Sequence, residues 1–202
     1  MLNYKFVFDL DSTITKEEIL PLIAKEIGLF KEIQILTEKA MNGEENFCEN
    51  FINRINMLKN IPIEKIHNIV KDIKLNEYIF KFILENKERC YIVTGNLDII
   101  IKPILKKLNM EDKYFSCESM LKDNKIYKVT KVINKEDIVK KFDFNFIAIG
   151  DGDNDIGMLK RAHIGIAFGG SRKISKNLIE NADYVIYDDK ELYNFLTNLI
   201  KR

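Results

Sequence analysis

Asp9 and Asp11 stand two residues apart where a short apolar run, Lys5-Phe6-Val7-Phe8, gives out. If that run is a buried strand, both carboxylates leave its end into one mouth. One could then attack a phosphorus atom while the other moves protons. An Asp-x-Asp pair also arises by chance, as a helix N-cap, or as the metal motif of nucleotide-sugar transferases, so the pair alone decides nothing. A second acidic stretch, Gly150-Asp151-Gly152-Asp153-Asn154-Asp155, follows another apolar run and precedes a helical pattern. Its oxygen donors suit a hard cation such as Mg²⁺, and its glycines let the backbone approach a ligand closely. Asp155 occupies the place of the third glycine of a dinucleotide fingerprint, and a carboxylate there would repel pyrophosphate, which excludes that reading. A solvated helix cap accounts for Asp153, but poorly for a whole row of acid and amide side chains after a buried strand.

Thr94-Gly95-Asn96 closes a third apolar run and offers a hydroxyl and backbone N–H groups to phosphate oxygens. Taken alone, it reads first as a plain turn or helix cap. Lys135 begins a helical pattern ahead of the run at Phe146; among 32 lysines and arginines it carries no information by itself.

These residues need a scaffold that brings strand ends together. Lys5–Phe8 reads as a buried strand. Lys16 to Leu75 is helical throughout, with Ile19, Leu20, Ile23, Ala24 and Ile27 on one face and Gly28 at a helix C-terminus. Lys31–Met41, Asn46–Lys59 and a helix opening at Pro62 complete a set of four. From Asn76 the pattern alternates: helix at Tyr78–Leu84, strand at Cys90–Val93 ending at Thr94-Gly95, helix at Ile99–Leu108, and a hairpin around Asp123-Asn124. Helix at Lys135–Phe142 and strands at Phe146–Ile149, Ile164–Phe168 and Tyr184–Tyr187 follow. Such alternation implies an α/β fold, a doubly wound and mainly parallel sheet that binds ligands at the carboxyl ends of its strands. The helical bundle is then an insertion after the first strand. Residues 1–15 and 76–202 would form the core, and residues 16–75 a helical cap.

The composition is that of a globular protein with a real core: 46% hydrophobic and 31% charged residues in 202, with a formal net charge of +1. That balance argues against a nucleic-acid scaffold or a polybasic membrane binder. Cys48, Cys90 and Cys117 are scattered and only two histidines are present, which argues against a zinc site and suggests a reducing cytoplasm. The opening apolar run is too short for a signal peptide and no stretch reaches membrane-spanning length. The expectation is a cytoplasmic protein acting on a small molecule, with no nucleic-acid or membrane partner; nothing in the sequence specifies an oligomeric state.

Taken in order, the Asp-x-Asp pair, the hydroxyl turn, the lysine and the acidic loop resemble the motif set of the haloacid-dehalogenase superfamily of phosphohydrolases, along the whole chain. The helices after the first motif resemble the helical cap of the subgroup that contains phosphoserine phosphatase. Asp9-Leu-Asp-Ser-Thr-Ile-Thr-Lys-Glu-Glu18 is similar to that subgroup's opening motif, and Thr37-Glu-Lys-Ala-Met41-Asn-Gly43 with Asn46-Phe47 and Arg54 to its cap segment. The resemblance implies a Mg²⁺-dependent phosphatase with Asp9 as nucleophile and Asp11 as proton donor and acceptor. Thr94 and Lys135 would hold the phosphoryl oxygens, with Gly95 beside them. Asp9, Asp151 and the Asp11 backbone carbonyl would hold the metal; Asp155 would position its water, with Asn154 in support. The implied substrate is L-phosphoserine. Glu18 would pair with its ammonium and Arg54 with its carboxylate, while Met41 and Phe47 shield the pocket.

Two positions depart from the family pattern. Asn96 stands where a second glycine is expected; asparagine tolerates left-handed geometry, so the loop can persist, while its side chain can alter the pocket. Asp153 replaces a usually small residue and is expected to meet only solvent. The same residues accommodate phosphoethanolamine, phosphothreonine or a sugar phosphate as substrate, or a phosphomutase-type transfer. A receiver-type signalling domain also combines an acceptor Asp, Mg²⁺, a hydroxyl and a Lys. Its metal carboxylates precede the acceptor, however, and it has no large insertion after the first strand.

Overall fold

Phe6, Val7 and Phe8 are wholly buried, as are Ile147, Ala148 and Ile149. Strands apolar on both faces belong in the middle of a sheet covered by helices on each side. In the computed structural model, which describes residues 4–41 and 47–201 apart from the side chains of residues 40, 41, 47 and 201, they take that place. The strands are β1 (Lys5–Phe8), β2 (Cys90–Leu97), β3 (Tyr114–Lys122), β4 (Lys125–Lys131), β5 (Phe146–Gly150), β6 (Ile164–Phe168) and β7 (Tyr184–Ile186). They form one sheet in the order β4-β3-β2-β1-β5-β6-β7. All neighbours run parallel except β3 and β4, a hairpin turned by Asp123 (φ 50°) and Asn124 (φ 60°), whose paired positive φ values match a two-residue turn.

The register does the positioning. Phe8 pairs with Ile92 of β2 on one side and Ile149 of β5 on the other. The residues that follow each strand therefore emerge side by side at the carboxyl edge, where the strand order changes direction.

Four helices lie between β1 and α5 (Glu77–Glu85): α1 (Ile19–Glu26), α2 (Phe30–Met41), α3 (Phe47–Leu58) and α4 (Ile63–Val70). Gly28 follows α1 at φ 77°, the left-handed position that ends a helix. The chain leaves and re-enters the sheet region through a two-stranded neck. Lys16 N–H donates to Lys74 O at 2.8 Å and Asn76 N–H to Ile14 O at 2.9 Å, while the Asn76 amide donates to Thr13 O at 2.8 Å. A second tie joins α4 to α6 (Asp98–Leu108). Pro103 inside α6 has no N–H for the carbonyl of Ile99. The His67 ring supplies the donor instead, with Nε2 at 2.7 Å from Ile99 O.

The remaining helices are α7 (Lys135–Val139), α8 (Ile156–Arg161), α9 (Lys176–Glu180) and α10 (Asp189–Lys201). Among the described residues no helix is long and apolar enough to cross a membrane. Most boundaries shift by a residue from expectation, and two larger differences have a visible cause. The α7 helix stops at Val139 rather than Phe142, because Phe142 and Phe144 leave the helix to stack on each other (4.8 Å between centroids) and on Tyr91. The β2 strand runs on through Thr94-Gly95-Asn96 to Leu97 instead of ending at Thr94-Gly95. Its register against β3 shifts between Val93 and Leu97, a bulge held by side-chain bonds described below.

Candidate active site

Asp9 remains locked to the sheet, its N–H donating to Ile149 O at 2.9 Å, so its carboxylate has a fixed origin. The chain then turns tightly. Ile14 and Thr15 N–H groups both return to Leu10 O, and Ser12 adopts φ 55°. The Thr15 hydroxyl accepts from Ser12 N at 3.0 Å and closes the turn. Lys135, the first residue of α7, donates to Asp9 Oδ1 at 2.5 Å and Asp155 Oδ1 at 2.6 Å. All three side chains are at least 94% buried. Burial by itself lowers the pKa of the lysine. Attraction to Asp155 and Asp9, with the hydrogen bonds to both, overrides that and raises its pKa.

Asp155 folds back over its own loop, where Oδ2 accepts from Asp151 N at 3.1 Å and Gly152 N at 3.0 Å. Only glycine fits at position 150 beneath it, since a Cβ there would lie 2.4 Å from Asp155 Cγ. Asp9, Asp151 and Asp155 each present a carboxylate oxygen, all within 4.8 Å of one another. Burial, then repulsion among these carboxylates, pushes Asp9 and Asp151 well above the usual carboxylate range; for Asp9 the neighbouring Lys135 opposes the rise. Asp151 Oδ2 is buried with no hydrogen-bond partner. An all-oxygen donor set with an orphaned, buried carboxylate oxygen fits a hard divalent cation.

A pocket of about 330 Å³, part of it open to solvent, lies in front of this cluster. It gathers Asp9, Asp11, Glu18, Arg54, Thr94, Gly95, Asn96, Lys135 and Asn154 from the sequence expectations, and adds Leu20 and Phe51. Asn154 Oδ1 is buried and unpartnered, an acceptor without a donor. Arg54, 3% exposed, donates from Nη1 to Thr37 Oγ1 at 3.0 Å, while its Nε has no partner. Desolvation lowers the Arg54 pKa, and Glu18 and Asp11 oppose that shift. Glu18 is pushed up to about 7, first by burial and then by Asp11, against the pull of Arg172. Its Oε1 accepts from Ser12 Oγ at 3.0 Å.

Three expectations change. The Asn96 N–H is not open to a ligand, because it donates to Thr94 Oγ1 at 3.0 Å. Asn96 itself is not left-handed among the positive-φ residues; it sits in the extended β2 bulge. Asp153 is not merely solvated: it accepts from Ser175 Oγ and from Asn177 Nδ2 at 2.9 Å, tying the acidic loop to α9. Met41 ends α2 and Phe47 opens α3, but their side chains lie outside the described residues. Two polar residues went unread in the sequence. Thr13 donates from Oγ1 to Asp151 Oδ1 at 2.9 Å. Arg172 lies 3.7 Å from Asp151 Oδ2 and 3.9 Å from Glu18 Oε1. For Thr13 the signal was its place four residues after Asp9, inside the first motif; Arg172 lies in no motif.

A buried carboxylate after the first strand, a lysine bridging it to an acidic loop, and the Thr94 hydroxyl thus meet at one pocket. The model of haloacid dehalogenase-like hydrolases matches residues 6–163. This chain belongs to that family. It is 36% identical over 177 residues to the phosphoserine phosphatase of Methanocaldococcus jannaschii, covering 80% of this chain and 83% of that protein. Among solved structures, a phosphoserine phosphatase captured as an analogue of its phospho-aspartyl intermediate superposes with a TM-score of 0.80 at 32% identity. That match covers 96% of this chain and 99% of the other. A substrate-bound phosphoserine phosphatase complex gives a TM-score of 0.83 at 31% identity, with the same coverage of both chains.

Proposed function

We propose that this hydrolase is a cytoplasmic, Mg²⁺-dependent phosphatase that converts L-phosphoserine to L-serine through a phosphoryl-aspartate on Asp9. One observation carries the substrate assignment. A buried guanidinium with an unpartnered Nε, Arg54, shares the pocket with a largely buried carboxylate, Glu18. Buried donors are rarely left without acceptors. A ligand with a carboxylate for Arg54, an ammonium for Glu18 and a phosphate for Thr94 and Lys135 satisfies all of them at once. The relatives named for phosphoserine support the same choice.

In this reading Asp9 attacks phosphorus in line while Asp11 gives its proton to the departing serine oxygen. Asp11 then takes a proton from the water that hydrolyses the phosphoryl-aspartate. Lys135 and Thr94 hold the transferring oxygens in place, and Lys135 screens the charge of Asp9 from the incoming dianion. Asp9, Asp151 and the Asp11 carbonyl would hold Mg²⁺, which when bound supplies charge neutralisation on the transferring group. Asp155 and Asn154 orient the ligands around it. Residues 16–75 act as a cap over a core of residues 1–15 and 76–202, excluding water during transfer.

The test is turnover by the purified protein with Mg²⁺ across a panel of L-phosphoserine, phosphothreonine, phosphoethanolamine and sugar phosphates. The expected preference is for L-phosphoserine, with Arg54→Ala raising KM and Asp9→Asn abolishing turnover. Equal rates on phosphoethanolamine, which has no carboxylate, would remove the role of Arg54; full activity in Asp9→Asn would remove the mechanism.

A further inference from the structure

We propose that Asn96 is a positioning residue that orients Asp11 for proton transfer to the leaving group. The inference rests on the reading of Asp11 as proton donor. Asn96 is 5% exposed, in the β2 bulge, on the pocket wall. Its Oδ1 accepts from Leu97 N at 2.7 Å, which fixes which end of the amide faces where. The Nδ2 end therefore points at Asp11, donating at 3.0 Å to Oδ2 and 3.2 Å to Oδ1. The other donor to Asp11 is Ile19 N, at 2.9 Å from Oδ1, at the start of α1. Asp11 is thus held between a strand of the sheet and a helix of the inserted segment.

Ile19 alone grips one oxygen and would let the carboxyl group turn and follow α1. The Asn96 amide grips both oxygens from the rigid side, which sets the plane of the carboxyl group relative to the sheet and to Asp9. During transfer the Asp9 oxygen–phosphorus bond forms, the phosphorus–ester oxygen bond breaks, and the Asp11 proton goes to that ester oxygen. The alignment of this proton is what the Asn96 grip governs. Small displacements of a reacting group cost up to about a hundredfold in rate.

The effect must depend on the leaving group, which separates positioning from general structural support. Serine leaves as an alkoxide unless protonated, whereas acetate departs from acetyl phosphate as a stable anion. The comparison uses kcat/KM, which reports only the steps through leaving-group departure. Asn96→Gly should lose about tenfold or more on L-phosphoserine relative to its loss on acetyl phosphate, in line with misalignment of one proton donor. Asp11→Asn should discriminate in the same direction and more strongly. Asn96→Ser, which removes the amide and is compatible with a strand, serves in place of glycine should glycine lower the melting temperature markedly. Discrimination in Asp11→Asn with equal losses in both Asn96 variants overturns the role of Asn96. Equal losses in Asp11→Asn overturn the reading of Asp11 as proton donor, and the proposal with it.

Discussion

Glu18 sits where its charge is costly, and replacing it should stabilise the protein under defined conditions. Burial and the nearby Asp11 raise its pKa from 4.5 to about 7, despite Arg172 and the hydrogen bond from Ser12. Its side chain is 17% exposed, so solvent screens it weakly. A folded-state pKa above the unfolded one means the folded protein binds the proton more tightly, so stability falls as pH rises between about 4.5 and 7. Above that window the cost is fully present. At ~1.4 kcal/mol per pKa unit it amounts to about 3 kcal/mol. Below pH 5 it shrinks to less than about 1 kcal/mol, because Glu18 is then protonated when folded and increasingly so when unfolded.

Glu18→Gln keeps the acceptor for Ser12 and removes the charge. In metal-free protein at pH 8 the variant should melt roughly 6–12 °C higher than the parent, by the usual conversion for a chain of this size. At pH 4.5 the two should nearly coincide. Thermal unfolding in EDTA at both pH values measures this directly. The same substitution should raise KM for L-phosphoserine, since the ammonium loses its partner. It should also remove the decline in kcat/KM that protonation of Glu18 causes in the parent below about pH 7. A variant no more stable at pH 8, or equally stabilised at both pH values, would refute the electrostatic argument.

Gly150→Ala places a methyl group 2.4 Å from Asp155 Cγ. Asp155 must then leave the Asp151 and Gly152 N–H groups and Lys135, so activity should fall by about a hundredfold or more with a stability loss of about 1–3 kcal/mol; steady-state rates and melting curves report both. His67→Leu leaves the Ile99 carbonyl with neither the helical partner denied by Pro103 nor the imidazole. Stability should drop by about 1–3 kcal/mol, read by denaturant unfolding, with kcat little changed because His67 lies outside the pocket.

The strands were legible because their burial is two-sided. Lys5–Phe8 and Ile164–Phe168 read as unbroken apolar runs, and the structure places them as expected. The chemistry was legible for a related reason, since polar clusters directly after buried runs have only the strand ends to occupy. What escaped were partners that meet only through the fold. Thr13 and Asp151 are 138 positions apart, and Asn96 and Asp11 are 85 apart. No local pattern marks such pairs. Phe51 escaped differently: at helical spacing it is indistinguishable from core, and it serves as core while also walling the pocket. The early end of α7 was hidden because Phe142 and Phe144 fit a helical stripe as well as they fit an aromatic stack.

The charge inventory of the site favours an order of events that no single residue reveals. Among the described residues, Asp9, Asp11, Glu18, Asp151 and Asp155 are met by the cations Lys135, Arg54 and Arg172. Lys135 is already engaged by two carboxylates and Arg172 stands between two more. Without a further cation, burial and mutual repulsion drive Asp9 and Asp151 toward their protonated forms, in which Asp9 is no nucleophile. A phosphate dianion entering then would raise those pKa values further and deepen the protonation that disables Asp9. A divalent cation held by Asp9 and Asp151 would oppose both effects, favouring their deprotonated forms and offsetting the charge of the phosphate. Metal before substrate is therefore the order that the electrostatics of this pocket favour.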